Sequence, residues 1–98
     1  MESNNDKYSD EQLELIKKYA ALFFIPLEIA VLVGVDAVKL KTDIMVVKTS
    51  RASHAYHLGK LEQEVKIREK LISLSEKNSI TAQEQVLELI KKQQKNER

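Results

Sequence analysis

The chain has 98 residues, room for one domain or for a helical hairpin with an extra arm. It holds two Gly, one Pro and no Cys. So few turn formers argue against an all-β sandwich or barrel, and the missing thiols exclude a disulfide scaffold, a cysteine nucleophile and Cys-bound metal. Net charge is +1, which excludes nucleic-acid binding by bulk positive charge. Locally the charge is uneven. Residues 1–34 carry three Lys against six carboxylates, whereas residues 35–60 carry five Lys or Arg against two Asp. One basic stretch is thus left for an anionic partner.

Residues 1–8 are polar and are expected to form a disordered arm. Its opening, Met1-Glu2-Ser3-Asn4-Asn5-Asp6, is acidic and unlike a signal peptide. Ser9-Asp10-Glu11-Gln12 has the form of a capping box, in which Ser accepts from the amide three residues on and Gln reaches back. Leu13, Ile16, Ala20 and Phe23/Phe24 then recur at helical spacing, so a helix is predicted from Asp10 to Phe24. Pro26 disfavours helical geometry at Ile25 and ends it.

Pro26 suits the first position of a second, short helix, where its missing N–H is not needed. Leu27, Ala30 and Val31 form its apolar face, widened by Ile29 and Leu32. Gly34 ends it by taking the left-handed conformation. Asp36 caps a third helix with Leu40, Ile44 and Val47 inward, although the β-branched run Ile44–Val47 also fits a short strand. Thr49–Ser53 is the next polar break. The run Tyr19–Val35 is nearly uncharged, but Pro26 and Glu28 make it a poor membrane span, so no membrane partner is expected.

From Ala52 the pattern is helical again. Leu58, Leu61, Val65 and Ile72 make one stripe, and Ile67, Leu71 and Leu74 a second. Two adjacent stripes imply more than one partner helix. Glu62 and Lys66 form a favourable i,i+4 pair. Lys77-Asn78-Ser79 breaks the helix, with Asn78 as a left-handed cap. Thr81-Ala82-Gln83-Glu84 reads as a second capping box, and Val86, Leu87, Leu89 and Ile90 line the last helix. The fold class is all-α. An N-terminal helix and helix-turn-helix (residues 9–50) precede a long antiparallel helical hairpin (residues 51–98), the segment expected to carry oligomerisation or partner binding.

Residues 26–48 carry the most specific local pattern. A small Ala30 lets two helices approach, Gly34 makes the sharp turn, and Leu40 closes the small core. These are the demands of a helix-turn-helix. Its second helix would present Ala37, Val38, Lys39, Lys41, Thr42 and Met45 outward. Lys39 and Lys41 suit phosphates, and Thr42 with Ala37 and Val38 suits base edges. That helix lacks Arg, Asn and Gln, the usual base readers, so plain helix packing stays open as an alternative.

His54 and His57 lie one turn apart with no third ligand near them in sequence. They read as surface or packing residues, and no metal or cofactor is expected. Tyr56 reads as a ring over the helix-turn-helix, and Gly59 as a site of close approach, because Gly inside a helix is otherwise costly. The sequence has no P-loop, no Ser/His/Asp arrangement and no H-E-x-x-H spacing, so no enzyme is expected. The Lys/Gln/Glu-rich end reads as a solvated helix end or a docking segment.

Two stretches together resemble the small subunit of phage terminases. Leu27-Glu28-Ile29-Ala30-Val31-Leu32-Val33-Gly34-Val35-Asp36 resembles the family's Pro-x-E-I-A segment and Gly-Val/Ile-Asp turn. Ala55-Tyr56-His57-Leu58-Gly59-Lys60-Leu61-Glu62, then Ile67-Arg68 and Leu74–Ala82, resemble its A-Y-x-x-G-K-x-E helix and helical hairpin. Ile25 stands where the family has Thr or Ser, Asn78 replaces the hairpin Gly, and Ser75 replaces an Ala. The resemblance implies a non-enzymatic DNA-recognition subunit from a phage, prophage or mobile element. Such a subunit forms a ring-like homo-oligomer and delivers double-stranded viral DNA to the large terminase subunit in the cytoplasm of a bacterial host. It further implies that Lys39, Lys41 and Thr42 contact DNA, flanked by Lys48 and Arg51, and that Ile67, Leu71 and Leu74 face neighbouring subunits. Two other readings stay open: a dimeric helix-turn-helix transcription regulator, and a helical protein–protein adaptor with no DNA role.

Overall fold

A computed structural model of the chain describes residues 7–97. Among them lie five α-helices and no strand: α1 (Asp10–Ala21), α2 (Pro26–Val33), α3 (Ala37–Met45), α4 (Arg51–Glu76) and α5 (Ile80–Asn96). The chain divides into two units, residues 1–63 and 64–98, and α4 runs through the boundary. The all-α class expected from the sequence is the class observed. The strand alternative for Ile44–Val47 is not taken: α3 continues through Met45 and the chain then turns.

The helix ends follow side-chain chemistry. Ser9 Oγ accepts from the Gln12 amide at 3.0 Å and Gln12 Oε1 accepts from the Ser9 amide at 2.9 Å, the reciprocal box read from the sequence. At α2 an isoleucine stands at the cap, so only half a box forms: the Ile25 amide donates to Glu28 Oε1 at 3.2 Å. Asp36 caps α3 by accepting from the Lys39 amide. For α5 the cap is Ser79, which accepts from the Ala82 amide, and Thr81 lies inside the helix. The second capping box therefore does not form: Ser79 follows the turn directly and caps α5 alone, with Ala82 at the position where a box needs Glu or Gln.

Three helices close the same way. Phe24 N–H donates to Tyr19 O, Val35 N–H to Ala30 O and Ser79 N–H to Leu74 O, with Phe23, Gly34 and Asn78 at positive φ. Asn78 was legible as such a residue. Phe23 was not, since a left-handed backbone costs a β-carbon-bearing residue roughly 1–2 kcal/mol. Its turn ends α1 at Ala21, three residues short of the expected end, and leaves the rings of Phe23 and Phe24 exposed rather than in the core.

The first unit has a real core. Ile16, Ala20, Ile29, Ala30, Leu40, Ile44 and Ala52 are fully buried, and Tyr8, Ala55 and Tyr56 nearly so. Burying each of the four large aliphatic side chains contributes roughly 1.5–3 kcal/mol. Several faces differ from the expected ones. In α2 the inward residues are Ile29 and Ala30, while Leu27, Val31 and Leu32 are exposed. Val47 lies past the end of α3 and is exposed, and Ala37 packs against the core instead of facing outward. In α4 the small residues Ala52, Ser53, Ala55 and Gly59 are buried with Tyr56, whereas Leu61, Val65 and Ile72 are exposed.

Gly59 explains that preference for small residues. A β-carbon there would sit 2.2 Å from the Lys17 carbonyl oxygen, so α1 and α4 touch backbone to backbone. One turn on, Lys17 Nζ lies 3.5 Å from a Glu62 carboxylate oxygen, so Glu62 is engaged by α1. In the second unit Ala82 is the one buried side chain among the described residues. Across its turn, Gln83 Nε2 donates to Ser75 O at 3.0 Å.

Candidate nucleic-acid interface

The pattern of residues 26–48 folds as two helices joined by a left-handed glycine. Gly34 has φ +86°, and nothing lies within 4 Å of where its β-carbon would be, so the backbone angle alone calls for Gly. Ala30, Leu40 and Ile44 are fully buried beside the turn and fix α3 on α2. The opposite side of α3 presents Val38 (76% exposed), Lys41, Thr42 and Met45 to solvent. Lys41 and Lys48 are exposed and form no ion pair among the described residues, so their ammonium groups can meet an anion without first breaking one.

The other two basic residues expected at DNA are already at work inside the protein. Lys39 Nζ lies 2.7 Å from Asp43 Oδ2 and 4.8 Å from the centre of the Tyr8 ring. Tyr8 Oη donates to the same Asp43 oxygen at 2.7 Å. Arg51 Nη2 donates to the Tyr8 carbonyl at 2.7 Å, and its Nη1 lies 3.7 Å from Asp10. Ser50 Oγ donates to the Asp43 carbonyl at 2.6 Å and accepts from the Ser53 amide, while Ser53 Oγ donates to the Ile44 carbonyl. These bonds tie the segment before α1 and the start of α4 to the end of α3.

Tyr8 is the residue that sequence reasoning missed. It was assigned to the polar arm, yet it is only 5% exposed and belongs to the core. Residues 1–6 of that arm lie outside the described residues. The available signal was an aromatic ring in an otherwise polar run. Its partner Asp43 is half-buried on α3.

The residues expected to face neighbouring subunits lie on the second half of α4. Ile67 and Leu74 are exposed at 41% and 39%, and Leu71 is half-buried. His54 and His57 are exposed on the first turns of α4, and no cluster of three metal-ligating side chains occurs among the described residues. No described helix is long and apolar enough to cross a membrane. Protein-family models, curated proteins and solved structures give no significant match to the chain, so the terminase-like reading rests on the residues themselves.

Proposed function

We propose that the chain is a non-enzymatic DNA-binding protein of the small-terminase kind, which docks α3 on double-stranded DNA. In this reading Lys41 and Lys48 neutralise phosphates, and Thr42, Val38 and Met45 approach base edges in the major groove. Lys39 and Arg51 act indirectly, holding Tyr8 and the ends of α3 in place. The protein works as a homo-oligomer through Ile67, Leu71 and Leu74, and delivers viral DNA to a large terminase subunit in the bacterial cytoplasm. The observation that carries this reading is the exposed, uncommitted Lys41–Thr42 face on a helix clamped from behind by Ala30, Leu40 and Ile44.

Salt-dependent binding of a labelled duplex tests it, because each neutralised phosphate adds about 0.9 to the slope of log K against log salt. Two to four phosphates are expected, and a flat profile contradicts the reading. Light scattering gives the companion measurement. A discrete species above a dimer agrees with the terminase-like assembly, and a dimer favours a transcription regulator reading paired half-sites. One observation suits the adaptor reading: Val31, Val38 and Val46 are 78%, 76% and 72% exposed. An adaptor would show no salt-dependent affinity for DNA.

A further inference from the structure

Of four surface grooves on the described residues, three contain carboxylates: one by Asp10, Glu11 and Glu14, one by Glu84 and Glu88, and one by Asp36. The fourth differs in kind. It is an open groove of about 620 Å³ between the α3–α4 loop and the first turns of α4. Its wall carries Lys48, Thr49, His54 and His57, with Ser50 and Ser53 and a floor of Leu58 and Leu61, and it has no acidic side chain. In a chain with nearly equal numbers of acidic and basic residues, that segregation marks a seat for an anion.

The wall is also oriented. His57 Nδ1 lies 2.9 Å from the Ser53 carbonyl, an oxygen that can only accept, so Nδ1 carries the proton and donates. Nε2 is then the nitrogen left for a ligand, and in the protonated ring it is a second donor. The edge of the Tyr56 ring lies against His57, with ring centres 5.2 Å apart, and supports that orientation. Lys48 belongs both to this groove and to the proposed α3 surface, so a strand on α3 continues naturally into the groove.

We propose that this groove seats a backbone phosphate of bound nucleic acid, held by Lys48, Thr49, His54 and His57. The proposal rests on the DNA-binding reading above and adds a second contact with a character of its own. A bound phosphate favours the imidazolium, in which both ring nitrogens donate. The other side chains lining the groove are Lys48, Thr49, Ser50, Ser53, Leu58 and Leu61, and the Tyr56 ring stands against His57, so no lining carboxylate offsets the added charge. Lower pH therefore strengthens binding through the groove.

Duplex affinity against salt at pH 6 and pH 8, for the full chain and two variants, tests this. Lys48→Gln is expected to lower the salt slope by about 1 at both pH values. The double variant His54→Gln/His57→Gln is expected to lower it by about 1 to 2 at pH 6, with a smaller effect at pH 8. Both rings are exposed, and far-UV circular dichroism checks that the variant stays folded. A histidine variant that matches the parent at pH 6 overturns the groove while leaving the α3 reading intact. Loss of duplex binding by the parent itself overturns the α3 reading and the nucleic-acid assignment together. Proton NMR of the two imidazoles with inorganic pyrophosphate then separates the remaining cases. Shifts that saturate without duplex binding assign the groove to a free phosphate, and no shift rejects an anion seat altogether.

Discussion

The two units of the chain solve the problem of stability differently. The first buries seven side chains completely, drawn from α1, α2, α3 and the start of α4, and adds a buried tyrosine tied by three polar contacts. The second buries one alanine among its described residues and leaves Val65, Ile67, Ile72, Leu74, Ile80, Leu87 and Ile90 at least 39% exposed. The first is also the more apolar in sequence, with 31 of its 63 residues apolar against 11 of 35 in the second. Small residues separate them further: Ala30, Ala52, Ala55 and Gly59 let helices of the first unit approach closely enough to exclude water from the large side chains. A stripe of Leu and Ile without such partners makes an amphipathic helix but not a core.

That contrast can be broken by mutation, the largest effects falling in the first unit. Ile44→Ala should cost about 3 kcal/mol of unfolding free energy by urea titration, through lost burial and the cavity left behind. Gly59→Ala should cost about 2–3 kcal/mol, because the new methyl meets the Lys17 backbone and not a movable side chain. Tyr8→Phe removes the donor to Asp43 and should cost about 1–2 kcal/mol, with little change in helix content. Gly34→Ala should cost about 1 kcal/mol, since only its backbone angle resists substitution. Smallest of all, Ile72→Ala should change the stability of a dilute monomer by less than about 0.5 kcal/mol. A larger effect of Ile72→Ala that grows with protein concentration would show that the second unit is buried against another copy.

Much of the fold was legible in the sequence. The capping box at Ser9, the start of α2 at Pro26, the turn at Gly34, the Asp36 cap and the break at Asn78 each follow from one residue whose chemistry permits little else. Gly59 was legible too, as a glycine whose cost inside a helix requires a contact. The inward faces were less so. Helical spacing counted from Leu27 puts Ala30 and Val31 on its face and leaves Ile29 at the margin, and pattern reading weights large side chains, so it favours Leu58 and Leu61 over Ala52 and Ala55. In close-packed helices the small side chains lie at the crossing and the large ones flank it. Tyr8 was hard to place for a different reason: its partners, Asp43 and Arg51, lie 35 and 43 residues away, and no local period encodes them. Of the five residues expected at DNA, sequence reasoning had no means of separating Lys41, Thr42 and Lys48 from Lys39 and Arg51, which the fold engages internally.

The central proposal is that DNA docks on the α3 side of the first unit and not on the charges of the second. The same charge reversal placed in each unit tests it most directly. Duplex affinity at low salt should fall by about tenfold in Lys41→Glu and stay at the parental value in Lys91→Glu, whose lysine lies on α5. Equal losses in the two variants, or no loss in Lys41→Glu, would contradict the account.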